Sequence, residues 1–171
     1  MKLSTKGRYG LRALIDLATY SEDEAVSISS IAARQNISES YLEQLVGKLR
    51  RAGLVSSIRG AGGGYRLAKP SEEISVGDIL RALEGNLDAV ECPGLNTEKG
   101  CQGADICVTK YVWQRINESI TEAVDDIKLS QLIEESKRVK KNGQLKSIAS
   151  IHDMLSKEEE TAIVKERYGY G

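Results

Sequence analysis

Apolar side chains recur at helical spacing near the start of the chain. Leu11, Leu14, Ile15, Leu17 and Ala18 fall on one stripe between Gly7 and Tyr20, with Arg8 and Arg12 on another face. That pattern predicts a first helix packed on a core. Ser21 to Ala25 is a charged loop, and Ser29 is placed to cap a short helix carrying Ile31, Ala32 and Ala33 as far as Gln35. Asn36-Ile37-Ser38 reads as a tight turn. Ser38 then caps a further helix whose Leu42, Leu45, Val46 and Leu49 face inward until Gly53 ends it. Two helices across so short a turn make a helix-turn-helix. Leu54 to Ile58 and Tyr65 to Leu67 are strand-like runs on either side of Arg59-Gly60-Ala61-Gly62-Gly63-Gly64, a glycine-rich hairpin. The expected fold is mostly α, a winged helix-turn-helix.

Beyond it, Lys69-Pro70-Ser71 interrupts the pattern. Ser75 with Asp78 resembles a capping box that opens a helix from Val76 to Glu84, and Gly85 stops it. Asn86 to Cys107 is rich in Gly, Asn and Asp and is expected as loop. From Val108 to Ile127 the positions Val112, Ile116, Ile120, Ala123, Val124 and Ile127 form one face of a long helix. A long amphipathic helix outside a small domain needs a partner surface. Leu129 to Glu135 adds a short helix, Lys137 to Gly143 reads as an exposed linker, and the tail past it is expected to be partly ordered. The expected segments are the winged helix-turn-helix at 1–70, a connecting helix at 71–85, a cysteine loop at 86–107, the long helix and a short helix at 108–135, and the tail at 136–171.

Composition narrows the function. The net charge of -1 conceals an asymmetry: residues 1–70 hold 11 Lys and Arg against 6 Asp and Glu, whereas residues 71–171 hold 13 against 19. A first part at +5 and a remainder at -6 places the footprint for a polyanion on the winged domain, although ordinary charge scatter gives such differences too. The chain opens without an apolar signal region, and no later window has the length of a membrane span, so a soluble, cytoplasmic protein without a membrane partner is expected. There is no Phe, one Trp and one His, which leaves little for a conventional catalytic kit. An enzyme is not expected.

The helix after Ser38 presents Ser40, Tyr41, Glu43, Gln44, Gly47 and Lys48 opposite its leucines, where a recognition helix holds its base-reading groups. Gln44 can pair with adenine N7 and N6, and Glu43 can accept from the cytosine amino group. A carboxylate in the groove also penalises sites that lack such a donor, so Glu43 is a candidate selectivity filter. The competing account of this face is the solvated side of an ordinary helix. The neighbouring wing favours DNA: Gly60 and its neighbours let backbone approach the sugar-phosphate wall, and Arg59 can enter a minor groove. Lys6, Lys48, Arg50 and Arg51 are candidate phosphate contacts. Gly64 is followed by Tyr65-Arg66-Leu67 rather than Lys-Ser/Thr opening a helix, so a nucleotide-binding loop does not fit.

All three cysteines, Cys92, Cys101 and Cys107, lie within 16 residues with gaps of eight and five. An odd cysteine count argues against a disulfide scaffold, and the gaps are too wide for a CxxC knuckle. Three thiolates on one loop suit an iron–sulfur cluster, with one coordination position left over. Zinc with a further ligand and three unligated thiols are the other readings. His152 lies far along the tail and is expected at the surface.

Met1-Lys2-Leu3-Ser4-Thr5-Lys6-Gly7-Arg8-Tyr9, Ser40-Tyr41-Leu42-Glu43-Gln44-Leu45, Gly53-Leu54-Val55 and Arg59-Gly60-Ala61-Gly62-Gly63-Gly64-Tyr65 together resemble the IscR family of iron–sulfur cluster regulators, from residue 1 to about residue 135. The resemblance implies a homodimeric repressor or activator whose long helices cross at the dimer interface. It implies a 2Fe-2S cluster on Cys92, Cys101 and Cys107, with Ser40, Glu43 and Gln44 as base readers and Arg59 as the wing arginine. Ser38, Tyr41, Lys48, Gly60 and Lys6 complete the expected contact set on double-stranded DNA, in a roughly palindromic operator. The sequence departs from the family where a histidine fourth ligand is usual and Lys110 stands instead. A lysine must first lose a proton held up to a pKa of about 10, so Glu98, Asp105, a partner residue or an exogenous thiol are the candidates for that place. Related regulators respond to nitric oxide or control cysteine metabolism, and the cysteine-metabolism relatives usually lack the three cysteines. A thiol-based redox enzyme or cluster-transfer protein is the alternative outside DNA binding.

Overall fold

In the computed structural model, which describes residues 3–21, 24–95 and 100–142, the elements run α1 (Thr5–Tyr20), α2 (Ile28–Gln35), α3 (Glu39–Arg51), β1 (Val55–Ile58), β2 (Gly64–Leu67), α4 (Val76–Glu84), α5 (Thr109–Asp126) and α6 (Leu129–Asn142). Short 3-10 turns at Ser71–Glu73 and Pro93–Leu95 punctuate the connections. The chain divides into two compact units, residues 1–133 and 134–171.

The core of the first unit is built from the predicted stripes. Leu14 and Leu17 of α1, Ile31 of α2, Leu42, Leu45 and Leu49 of α3, Ile79 and Leu83 of α4 and Leu129 of α6 are all buried in one cluster. A Leu or Ile taken fully out of water contributes about 1.5–3 kcal/mol, so these faces set the packing of α1 to α4. A smaller cluster of Val76, Leu80 and Leu87 receives Leu11, Val124, Ile127 and Leu132 and seats the end of α5 on α4.

Local signals account for most boundaries. Ser38 caps α3 by accepting from the Tyr41 N–H, and Ser75 with Asp78 forms the reciprocal capping box of α4. Asn36 closes α2 in the left-handed region at φ 53°, a conformation that asparagine tolerates, and so makes the turn between α2 and α3. Two starts differ from expectation. Helix α1 begins at Thr5 rather than Gly7 because Ser4 caps it, and α2 begins at Ile28 because Ser27, not Ser29, accepts from the Ser30 N–H.

The hairpin pairs Val55 with Leu67, Ser56 with Arg66, Ser57 with Tyr65 and Ile58 with Gly64. Val26 adds a bridge to Tyr65, exchanging both backbone hydrogen bonds at 2.9 and 2.8 Å. The contact requires glycine at 64, since a Cβ there would stand 2.6 Å from the Val26 carbonyl oxygen. The wing is thereby fastened to the segment that enters α2.

At its other end the winged unit is joined to α5. Arg81 donates to Asp125 at 2.5 and 3.3 Å, Ser75 Oγ donates to the same carboxylate at 3.3 Å, and backbone bonds Val76 N to Ile127 O and Leu129 N to Ile74 O stitch the two chain segments together. The expected linker from Lys137 is helix instead as far as Asn142. Its lysines and arginine are good helix formers and no Pro or Gly interrupts the run before Gly143, while Arg138 pairs with Glu135 one turn back. The tail from residue 143, His152 included, lies outside the described residues.

Candidate nucleic-acid interface and cysteine segment

Polar contacts centred on one buried carboxylate hold α1 and α2 together. Asp16, buried on α1, accepts from Arg34 Nε at 3.0 and 3.1 Å, from Arg34 Nη2 at 2.6 Å and from Gln35 Nε2 at 2.8 Å. The bond to Asp16 raises the Arg34 pKa against the opposing effect of burial. Arg34 also lies over the Tyr20 ring at 4.2 Å, and Arg12 donates to the Gln35 side chain and carbonyl. These contacts fix α2 against α1 and hence set the platform from which α3 projects. An acidic residue inside the run Leu14-Ile15-Asp16-Leu17-Ala18 is the sequence signal that could have marked it.

With its leucines inward, α3 leaves Ser38, Ser40, Glu43 and Gln44 exposed. Tyr41 is half-buried: its ring meets Tyr9 edge-on at 6.2 Å and its hydroxyl lies 3.4 Å from Thr5 Oγ1, which brings the start of α3 beside the start of α1, where Lys6 is exposed. Arg50 and Arg51 are exposed at the far end of α3, and Arg59 and Gly60 are exposed in the wing, where Gly60 accepts from the Gly63 N–H at 2.9 Å. Lys48 differs from the other cations, because its ammonium donates to the Leu83 carbonyl of α4 at 2.8 Å.

The opening turn of α1 is filled by protein. Glu84, reaching across from α4, accepts from Ser4 N at 3.0 Å, Ser4 Oγ at 2.6 Å and Gly7 N at 2.8 Å. Burial alone would raise its pKa, but the Ser4 hydroxyl and the two N–H groups outweigh burial and hold it below the usual glutamate range. A carboxylate at that helix end leaves no room for a phosphate. Nothing in the local sequence announces the contact.

The cysteine segment leaves α4 at Gly85, whose φ of 89° suits glycine. Leu87 anchors it in the smaller core cluster, and Asn117 of α5 pins it by accepting from the Ala89 N–H at 2.9 Å and donating to the Val90 carbonyl at 3.2 Å. Cys92 borders a polar groove of about 1430 Å³ against α5, lined also by Lys110, Tyr111, Gln114, Asn117 and Glu122. Cys107 precedes the first turn of α5. The Thr109 hydroxyl, 3.1 Å from its sulfur, and the Lys110 N–H lower its thiol pKa against the small opposing effect of burial. Cys101 is exposed. Thiolate donors of this kind suit an iron–sulfur group chemically, but among the described residues no three Cys, His, Asp or Glu side chains converge on one point. Asp105 is exposed, Lys110 Nζ lies over the Tyr111 ring at 5.4 Å, and Glu98 is outside the described residues.

The expected dimer face is bare. Helix α5 buries no residue, and Val108, Val112 and Ile116 are exposed along one side, with Val112 at 50%. No helix among the described residues is long and apolar enough to cross a membrane.

A helix-turn-helix with an exposed polar recognition face and a basic hairpin beside it defines a winged helix-turn-helix DNA-binding regulator. The family profile Rrf2, described as an iron-dependent transcriptional regulator, matches residues 3–135, and the chain belongs to that family. It is 44% identical over 133 residues to the HTH-type transcriptional regulator IscR of Pectobacterium carotovorum, covering 78% of this chain and 79% of the relative. Among solved structures it is similar to T. potens IscR, at 41% identity and TM-score 0.65 over 88% of this chain and 96% of that one. It is equally similar in fold to CymR, the global cysteine regulator of B. subtilis, at 44% identity and TM-score 0.65 over 79% and 98% of the two chains. These likenesses bear out the winged helix-turn-helix and the resemblance to IscR-type regulators, and its relatives are transcription regulators.

Proposed function

We propose that this regulator binds a roughly palindromic operator as a homodimer and reports iron–sulfur status through a 2Fe-2S cluster held by Cys92, Cys101 and Cys107. The observation that carries the DNA reading is the exposure of Ser40, Glu43 and Gln44 on the outer face of α3 while the leucines of the same helix are buried. In the major groove Gln44 pairs with adenine, Glu43 accepts from cytosine and Ser40 supplies a hydroxyl to an adjacent base edge. Ser38 and Tyr41 support the start of that helix, Lys6, Arg50 and Arg51 neutralise phosphates, and Arg59 with Gly60 brings the wing to the minor groove. The exposed apolar side of α5 receives the same helix of a second copy, which sets two recognition helices about one helical turn of DNA apart.

A cluster on the three thiolates would supply a group whose presence depends on iron and sulfide supply and on oxidants. The protein's own part is to offer thiolates: Thr109 and the first N–H groups of α5 favour the charged form of Cys107, and Asn117 holds the entrance of the segment on α5. Because the three sulfurs do not converge here, taking up the group would reorder the segment against α5, the helix assigned to the dimer. Control of iron–sulfur assembly genes is the matching output.

The similarity to CymR supports a second reading, in which the same DNA-binding unit answers to cysteine metabolism. Anaerobic purification with visible absorption and iron and sulfide content per chain, repeated on Cys92→Ala, separates the two. A brown protein with near-stoichiometric sulfide that loses colour in the variant supports the cluster; a colourless wild type without iron refutes it and leaves the thiol- or partner-dependent regulator.

A further inference from the structure

The last turn of α4 is tied to both of the helices that the proposed function turns toward DNA. Helix α4 ends at Glu84, so the Leu83 carbonyl is among those with no partner inside the helix. Lys48 Nζ donates to it at 2.8 Å, where a cation also meets the negative end of the helix dipole. One residue on, Glu84 closes the opening turn of α1 through Ser4 and Gly7. Lys48 sits on α3 one turn beyond Gln44 and is half-buried, whereas Arg50 and Arg51 are exposed.

We propose that Lys48 is a positioning residue for sequence recognition: by binding the Leu83 carbonyl it fixes the seating of α3 on α4, and it is not one of the cations that neutralise phosphates. The inference rests on the DNA-binding reading above. The two roles have different signatures. A phosphate contact releases a counterion, so its loss lowers the slope of log affinity against log salt by about 0.9. Loss of a strap between two helices releases none. It lets α3 rock, so that Ser40, Glu43 and Gln44 meet base edges at the wrong distance, while the sequence-independent affinity carried by phosphates persists.

The test uses the full chain and two duplexes: one selected by the wild-type protein from a randomised library, and a scrambled duplex of the same length and composition, each titrated over a series of salt concentrations. For Lys48→Met the expected result is a loss of preference for the selected duplex of about tenfold or more, with both salt slopes unchanged. Arg51→Met is the contrasting control, with a slope lower by about one and the preference retained. Lys48→Arg keeps a donor for the carbonyl and restores the preference. A lowered slope with intact preference in Lys48→Met, or wild-type behaviour in both, overturns the assignment. Should Lys48→Met fail to fold, Glu84→Gln reads the same joint from the α1 side: lost preference at constant slope is expected, and wild-type preference overturns the proposal. A wild-type protein that selects no duplex refutes the DNA reading itself, a result distinct from either outcome for Lys48.

Discussion

Replacing Asp16 with alanine tests whether the buried polar contacts between α1 and α2 hold the helix-turn-helix together. The substitution removes the acceptor for both Arg34 donors and for Gln35 Nε2. Breaking a buried ion pair by removing one partner costs about 3–5 kcal/mol when the remaining charge stays out of water. Here the Asp16 side chain is 3% exposed but that of Arg34 is 31%, so the guanidinium can recover part of its hydration and also keeps its place over Tyr20. The lost charge-assisted bonds then set a cost of about 2–3 kcal/mol. Urea unfolding followed by circular dichroism should give that difference with an unchanged m-value, and the thermal midpoint should fall by roughly 4–12 °C. Asp16→Asn, which keeps an oxygen acceptor, should lose less. A variant within about 0.5 kcal/mol of wild type, the range of an ordinary surface substitution, would refute the reasoning.

Four further outcomes follow from the same geometry. Glu84 has a folded pKa below its unfolded one, so the stability it contributes is complete above the unfolded value and is lost as pH falls through the folded value; Glu84→Gln should lower the melting temperature at pH 7 and flatten its decline below about pH 4, and an unaltered acid limb would count against the capping role. Val112→Asp or Ile116→Asp should raise the dimer dissociation constant on the order of 100-fold in sedimentation equilibrium, because a charge would be buried unpaired in the proposed interface, and an unaltered dimer would move that interface elsewhere. Glu43→Ala should broaden the selected sequence set while leaving binding to a single strong site within about tenfold; an unchanged set would remove Glu43 as a filter. Cys101→Ala should abolish bound iron and sulfide without altering the far-ultraviolet circular dichroism, and retention of both elements would displace it as a ligand.

By itself the sequence determines the elements and the class of fold, because those depend on interactions a few residues long. The spacing of Leu42, Leu45, Val46 and Leu49 decides which side of α3 is buried, and so which side can meet DNA; the same local logic places Ser38 and the Ser75–Asp78 capping box, and the glycines mark the wing. Where local signals compete, the reading slips: three serines stand at the start of α2 and the earliest one caps it, and a charged run after Glu135 remains helical where a linker was expected. Only the tertiary structure decided the contacts that join the elements. Asp16 meets Arg34 across 18 residues, Lys48 meets Leu83 across 35, Asn117 meets Ala89 across 28, and Ser4 meets Glu84 across 80. No period or short motif encodes such pairs, because which polar group finds which depends on how the apolar faces have already packed the helices, and a lysine that reads as one more cation for phosphate can then find a helix end instead.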